Sequence, residues 1–95
     1  MKITIKPIAE KSIVSIGIYI RERGYPDAAD SYLNRLKDFV YSLCSFPDKY
    51  PICKIETFAK RNFHCAIFEK TYIVIYKTTR NKLVIHNVIH GKRLK

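Results

Sequence analysis

The stretch Ser12-Ile-Val-Ser-Ile-Gly-Ile-Tyr-Ile20 decides the fold. Its β-branched residues and the alternation of Ile16, Ile18 and Ile20 suit a strand. Ala9, Ile13, Ile16 and Ile20 also fall on one helical face. Pro7 stands before them at a position a helix tolerates, and Arg21-Glu-Arg-Gly24 supplies terminal cations and a stop glycine. The end signals favour helix. Such a helix is apolar nearly all round, because Val14 and Ile18 lie opposite Ile13 and Ile20, so one face packs on a sheet and the other needs a neighbour.

The following residues provide one. Tyr25-Pro26-Asp27-Ala-Ala-Asp30 opens a second helix with proline near its first position and acids in its first turn. Ala29, Tyr32, Leu33, Leu36, Phe39, Val40 and Leu43 then recur in steps of three and four, and Phe46-Pro47 ends the pattern. The two helices form a hairpin across Gly24-Tyr25. Before them, residues 1–6 alternate as a short strand. After Pro51, the stretches Cys53–Phe58, Phe63–Phe68, Tyr72–Thr78 and Lys82–His90 read as strands joined by short polar breaks. The expectation is a single α+β domain over residues 1–95. An N-terminal strand and helical hairpin lead into a four-stranded antiparallel meander, β-α-α-β-β-β-β, with the helices on one face of the sheet.

Ninety-five residues with 47% hydrophobic content suit one compact core. The longest mostly apolar run, Ile13 to Ile20, is far short of the roughly 20 residues of a membrane helix. The N-terminus has no signal-peptide layout, so a soluble cytoplasmic protein is expected. Cys44, Cys53 and Cys65 lack metal-ligand spacing and read as three reduced thiols, with a Cys44–Cys53 bridge only in an oxidising compartment. No glycine-rich phosphate loop or metal set is present, so neither cofactor nor metal is expected.

Charge is the informative quantity. Lys and Arg total 18 against eight acids, a net +10. Residues 1–46 carry seven basic and five acidic residues, and residues 47–95 carry eleven and three. A positive field on the second half, including Lys77, Arg80, Lys82, Lys92, Arg93 and Lys95, suits a polyanion or an acidic protein partner. A merely solubilising basic face is the alternative.

The order strand, helical hairpin, meander, with Pro26-Asp-Ala-Ala29, Phe46-Pro47, Tyr72-Ile-Val-Ile-Tyr-Lys77, Asn81-Lys-Leu-Val-Ile85 and Val88-Ile-His-Gly-Lys-Arg93, resembles the RelE/ParE superfamily of toxins from bacterial type II toxin–antitoxin modules. The resemblance implies growth inhibition and plasmid stabilisation, with a cognate antitoxin as partner. RelE-like members are ribosome-dependent mRNA endonucleases, and ParE-like members inhibit DNA gyrase. Where the nuclease pattern places two strand lysines, this chain has His64 and Ala66. Ile73 takes the place of an arginine, Arg93 matches another, and a late tyrosine would fall beyond Lys95. This departure brings the chain closer to the ParE-like branch.

Three functions remain open: a gyrase-directed toxin, a RelE-like enzyme acting on ribosome and mRNA, and an inactive, degenerate toxin serving as a basic binding module. As a nuclease, the chain would draw on His90, Arg93, Arg61, His64 and Glu56, which supply the base, acid and cations that phosphodiester cleavage needs. As a gyrase inhibitor, it would contact its target through Lys60, Arg61, His90, Lys92 and Arg93. Val14, Ile18 and Tyr19 are the antitoxin-contact candidates. Strict alternation along the last strand puts Val84, His86, Val88 and His90 on one face, with His86 and His90 about 13 Å apart, too far to share a metal. His86 reads as a histidine that merely satisfies a hydrogen bond.

Overall fold

The computed structural model describes residues 1–93, Arg93 through its backbone alone. Lys95, counted above in the basic face, lies outside the described residues. Strand β1 (Lys2–Ile5) leads into helices α1 (Pro7–Glu22) and α2 (Pro26–Ser42). A single-turn helix α3 (Glu56–Ala59) precedes strands β2 (His64–Phe68), β3 (Tyr72–Thr79) and β4 (Lys82–His90), and a 3-10 turn follows over Gly91–Arg93.

The ambiguous stretch is helical. Pro7 opens α1, Arg21 sits in its last turn, and Ala9, Ile16 and Gly17 are buried. Burial of that stripe outweighs the weak helix propensity of its isoleucines. Gly17 lets the two helices approach closely, since a Cβ there would fall 2.8 Å from Leu33 Cδ1. Gly24 turns the chain between them at φ +87°, in the left-handed region that glycine adopts without penalty.

The fold is α+β with helices on one face, but the sheet is mixed and has one strand fewer than expected. Its order is β1-β4-β3-β2. Strand β1 runs parallel to β4, while β2, β3 and β4 form the antiparallel meander. The expected strand Cys53–Phe58 is absent. Only Ile52 bridges to the sheet, opposite His64, and Glu56–Ala59 coil into α3 instead. Glu56 in the first turn of that helix suits its N-terminus, and the polar Lys54, Glu56 and Thr57 leave too short an apolar alternation for a strand.

The segment from Ile52 to Phe63 thus forms an arm across the second sheet face. Its ends are tied by Cys53 N–H to the Phe63 carbonyl at 2.9 Å and Cys65 N–H to the Pro51 carbonyl at 3.2 Å. This return places Cys53 beside Cys65, and the two are joined in a disulfide, leaving Cys44 as the free thiol. The expectation of three reduced thiols is corrected accordingly. The pairing follows from the arm's turning back, which the strand reading of Cys53–Phe58 concealed.

Two cores result. Ala9, Ile16, Leu36, Val40 and Leu43 of the helices pack on Ala66, Phe68, Val74, Tyr76, Leu83, Ile85 and Val88 of the sheet. Tyr76 is wholly buried and donates its hydroxyl proton to the Pro47 carbonyl at 2.7 Å; burial pushes its pKa up to about 12. On the opposite face, Cys53, Phe63 and Ile75 gather Phe58, Cys65, Ile73 and Ile89.

Strand β4 crosses this division irregularly. Ile85 and Val88 both enter the helix-side core although they are three residues apart, which strict alternation forbids. A bulge supplies the extra residue: Ile75 pairs with Asn87 and Tyr76 with Ile85, leaving His86 without a register partner. Asn87 is held on the helix side, its Oδ1 accepting from Ser12 Oγ of α1 at 2.7 Å and from the Val88 N–H at 2.8 Å. The expectation that His86 and His90 share a face is therefore wrong. The bulge sends His86 to the arm-covered face and His90 to the helix side.

Candidate functional site

The second sheet face carries the site. Phe63 is its centre, delivered by the arm just before β2 and wholly buried. The His86 ring lies 4.6 Å from the Phe63 ring and 6.0 Å from that of Phe58. Arg61 places its guanidinium carbon 5.0 Å from the Phe63 centroid, and Lys77 of β3 places Nζ 4.7 Å from it. Both cations are attracted by the π-system while their stems cover it. Lys6, immediately after β1, brings Nζ to 3.3 Å from His86 Nδ1. Four separate parts of the chain thus place three cations around one imidazole.

The contact with Lys6 sets the state of that imidazole. An ammonium has only protons to give, so His86 Nδ1 accepts and the ring proton sits on Nε2. Burial, and then the charges of Lys6, Arg61 and Lys77, hold the His86 pKa below its ordinary value. Near neutral pH, His86 is a hydrogen-bond donor at Nε2 rather than a fourth cation.

A pH dependence follows. With its folded pKa below the unfolded one, His86 binds fewer protons in the native state as pH falls below about 6.5, and stability declines there until the folded group protonates too. Stability is therefore full above that window and lost on acidification. In denaturant titrations from pH 7.5 to 5, His86→Gln is expected to flatten the decline relative to the parent chain. A parallel decline in both would assign the effect to other groups.

The sequence-derived candidates are dispersed. Glu56 of α3 and Lys60, just past its end, form an exposed ion pair at 3.1 Å. Arg61 belongs to the cluster around Phe63. His64 lies on the helix side, where Nδ1–H donates to the Tyr50 carbonyl at 2.6 Å and the ring stacks on Tyr76 at 5.2 Å. His90 is four residues beyond His86, about 13 Å along the strand, and faces the helices. There its Nδ1 accepts the Lys92 N–H at 3.2 Å, and its ring meets Tyr72 edge-on at 5.4 Å. His90 and Lys92 line a groove of about 750 Å³ with Ile8, Ser12 and Tyr19 of α1. The side chain of Arg93 lies outside the description.

Val14, Ile18 and Tyr19 of α1 are 59, 47 and 52% exposed, an apolar face open to solvent. Arg23 lies over the Tyr19 ring at 4.6 Å.

Sequence reasoning missed Lys6, Phe63, Lys77 and His86 as one group. Alternation before the bulge does put His86 on the face opposite Leu83 and Ile85, but only the arm's return reveals that Phe63 and Arg61 cover it.

No helix among the described residues is long and apolar enough to cross a membrane. No curated protein matches the sequence. A family profile described as the ParE toxin of type II toxin-antitoxin system, parDE, matches residues 3–95. That match spans nearly the whole sequence, and strand, helical hairpin and sheet occur in the order the resemblance implies. The chain belongs to the ParE toxin family, the toxin component of type II toxin–antitoxin systems, whose natural partner is an antitoxin.

Proposed function

We propose that the chain arrests bacterial growth through DNA gyrase in the cytoplasm and is neutralised by a cognate antitoxin packing along α1. The observation that carries this reading is the chemistry at the positions where RelE-like enzymes handle the scissile phosphate. His64 is tied to the Tyr50 carbonyl, Ala66 is wholly buried, and Ile73 packs against the second core. None of the three side chains can clamp a phosphate from there. The nuclease candidates Glu56, Arg61, His64 and His90 also fall on different elements and faces, so they do not converge on one reacting bond.

The antitoxin reading rests on Val14, Ile18 and Tyr19, whose exposure suits the helix-in-groove mode of peptide recognition. Lys60, Arg61, His90, Lys92 and Arg93 remain the gyrase-contact candidates.

Tightly controlled expression in a bacterium tests the target directly. Plasmid topology and primer-extension maps of mRNA are read from the same culture. Growth arrest with relaxed or cleaved plasmid and intact message is the expected result. Codon-positioned message cuts with normal plasmid topology would replace this reading with the endonuclease, and unimpaired growth would replace it with the inactive basic module.

A further inference from the structure

The geometry points to a phosphate-binding site formed by Arg61, Lys77 and the Nε2–H of His86 on the arm-covered sheet face, with Lys6 fixing the imidazole from its other nitrogen and adding positive charge. This site does not depend on which target the toxin has; it shares Arg61 with the contact candidates and Lys77 with the basic field read from the sequence.

The first support is convergence. Lys6 lies 3.3 Å from His86 Nδ1, and Arg61 and Lys77 lie 5.0 and 4.7 Å from the ring of Phe63, which is itself 4.6 Å from the His86 ring. Lys6, Arg61 and Lys77 all act electrostatically on His86.

The second support is the missing counter-charge. The ion pairs among the described residues are Arg21–Asp30, Arg35–Glu69 and Lys60–Glu56. Residues 47–95 hold three acids, Asp48, Glu56 and Glu69, and the last two are engaged in those pairs. Asp48 acts on Tyr76, whose ring belongs to the helix-side core. Among the described residues no ion pair joins a carboxylate to Lys6, Arg61 or Lys77, and the charges that act on His86 are all positive. Their mutual repulsion disfavours the bare arrangement, and a bound anion reverses its sign.

The third support is the kind of donor assembled. A guanidinium fork, the Lys77 ammonium and one neutral imidazole N–H come from three separate elements, more directions than the planar pair of carboxylate oxygens serves. They match a group with three or four oxygens and more than one charge. Keeping His86 neutral leaves Nε2–H as a donor without adding a fourth positive charge to the same small area.

The probes are inorganic phosphate and a short oligothymidylate, titrated into the full chain at constant ionic strength. Binding is followed by the His86 imidazole resonances and the melting temperature. Saturable movement of the His86 signals by phosphate is expected. Lys6→Gln with Lys77→Gln should weaken it by at least about tenfold, since one change removes a charged donor and the other the charge that fixes the imidazole. Lys37→Gln with Lys70→Gln removes the same charge elsewhere and should leave it within about twofold, because exposed charges beyond a Debye length are screened. Circular dichroism checks that both pairs of variants fold.

Competition by the oligothymidylate would identify the phosphate of a strand as the ligand. Binding of phosphate without such competition would identify a free phosphate or small phosphate ester. No saturable His86 response up to tens of millimolar phosphate, or equal weakening in both variant pairs, would overturn the site.

Discussion

Phe63→Ala is expected to lower the folding free energy by about 3–5 kcal/mol, the range for deleting a buried aromatic ring. The side chain is wholly buried and central to the second core, against Cys53 and Ile75. Its ring meets Phe58 at 6.0 Å and His86 at 4.6 Å, and it carries the Arg61 and Lys77 cations. Alanine would leave a void beneath Arg61, Lys77 and His86, of which His86 keeps a contact with the Phe58 ring. The backbone bonds of residue 63 to Cys53 and Phe58 survive the substitution, so the arm keeps its course while losing its filling. Phe63→Leu restores much of the volume and should cost appreciably less. Equilibrium denaturation measures both. A loss below about 1 kcal/mol for the alanine variant would show that the arm contributes little to the folded state and that the second core is not cooperative with the first.

The same side chain marks the boundary between what the sequence made legible and what it did not. The helical hairpin was readable because the stripe from Ala29 to Leu43 repeats with helical spacing, and Pro7, Gly24 and Pro26 punctuate it. The meander was readable from its short polar breaks. Both turns place non-glycine residues, Glu69 and Lys70 and then Arg80 and Asn81, at positive φ; the second is the two-residue hairpin loop between Thr79 and Lys82, while the first has Thr71 as a third residue.

The parallel pairing of β1 with β4 was not legible, because strand order across a helical crossover is a long-range matter that periodicity does not encode. Cys53, Ile55 and Phe58 were apolar enough to suggest a strand, yet they fold into an arm whose packing is decided by Phe63 and Ile75. The bulge at His86 was equally hidden. It depends on Ile85 and Val88 both choosing the helix side, and the sequence alone offered an unbroken alternation. Since the bulge determines which face each histidine serves, the candidate site was the least legible part of the molecule. His90 was singled out for its charged neighbours, while His86, the histidine the cations converge on, looked ordinary.

Reduction of the Cys53–Cys65 bond is expected to destabilise the chain by about 3 kcal/mol, the chain-entropy value for a closed loop of this size. The cysteines are 12 residues apart, and the bond closes the arm on itself. Its effect lies chiefly in the unfolded chain, where the open loop regains freedom, whereas Phe63→Ala acts on the folded packing. The two perturbations are therefore separable. Reduction should leave the helix-side core, from Leu36 to Val74, with native spectra, and should speed amide exchange at Cys53 and Cys65, whose N–H groups tie the two ends of the arm. Denaturation with and without reductant, in a Cys44→Ser background that prevents thiol exchange, reads the difference. A change under about 0.5 kcal/mol would mean that the arm is already ordered in the unfolded ensemble and that the cross-link adds nothing. In the cytoplasm proposed for this toxin, thiols are held reduced, so the working form there is the one with the open bond. Stability measured without reductant then exceeds the cellular value by that same difference, and the arm bearing Arg61 and Phe63 relies on its apolar packing to keep the cations of the second face together.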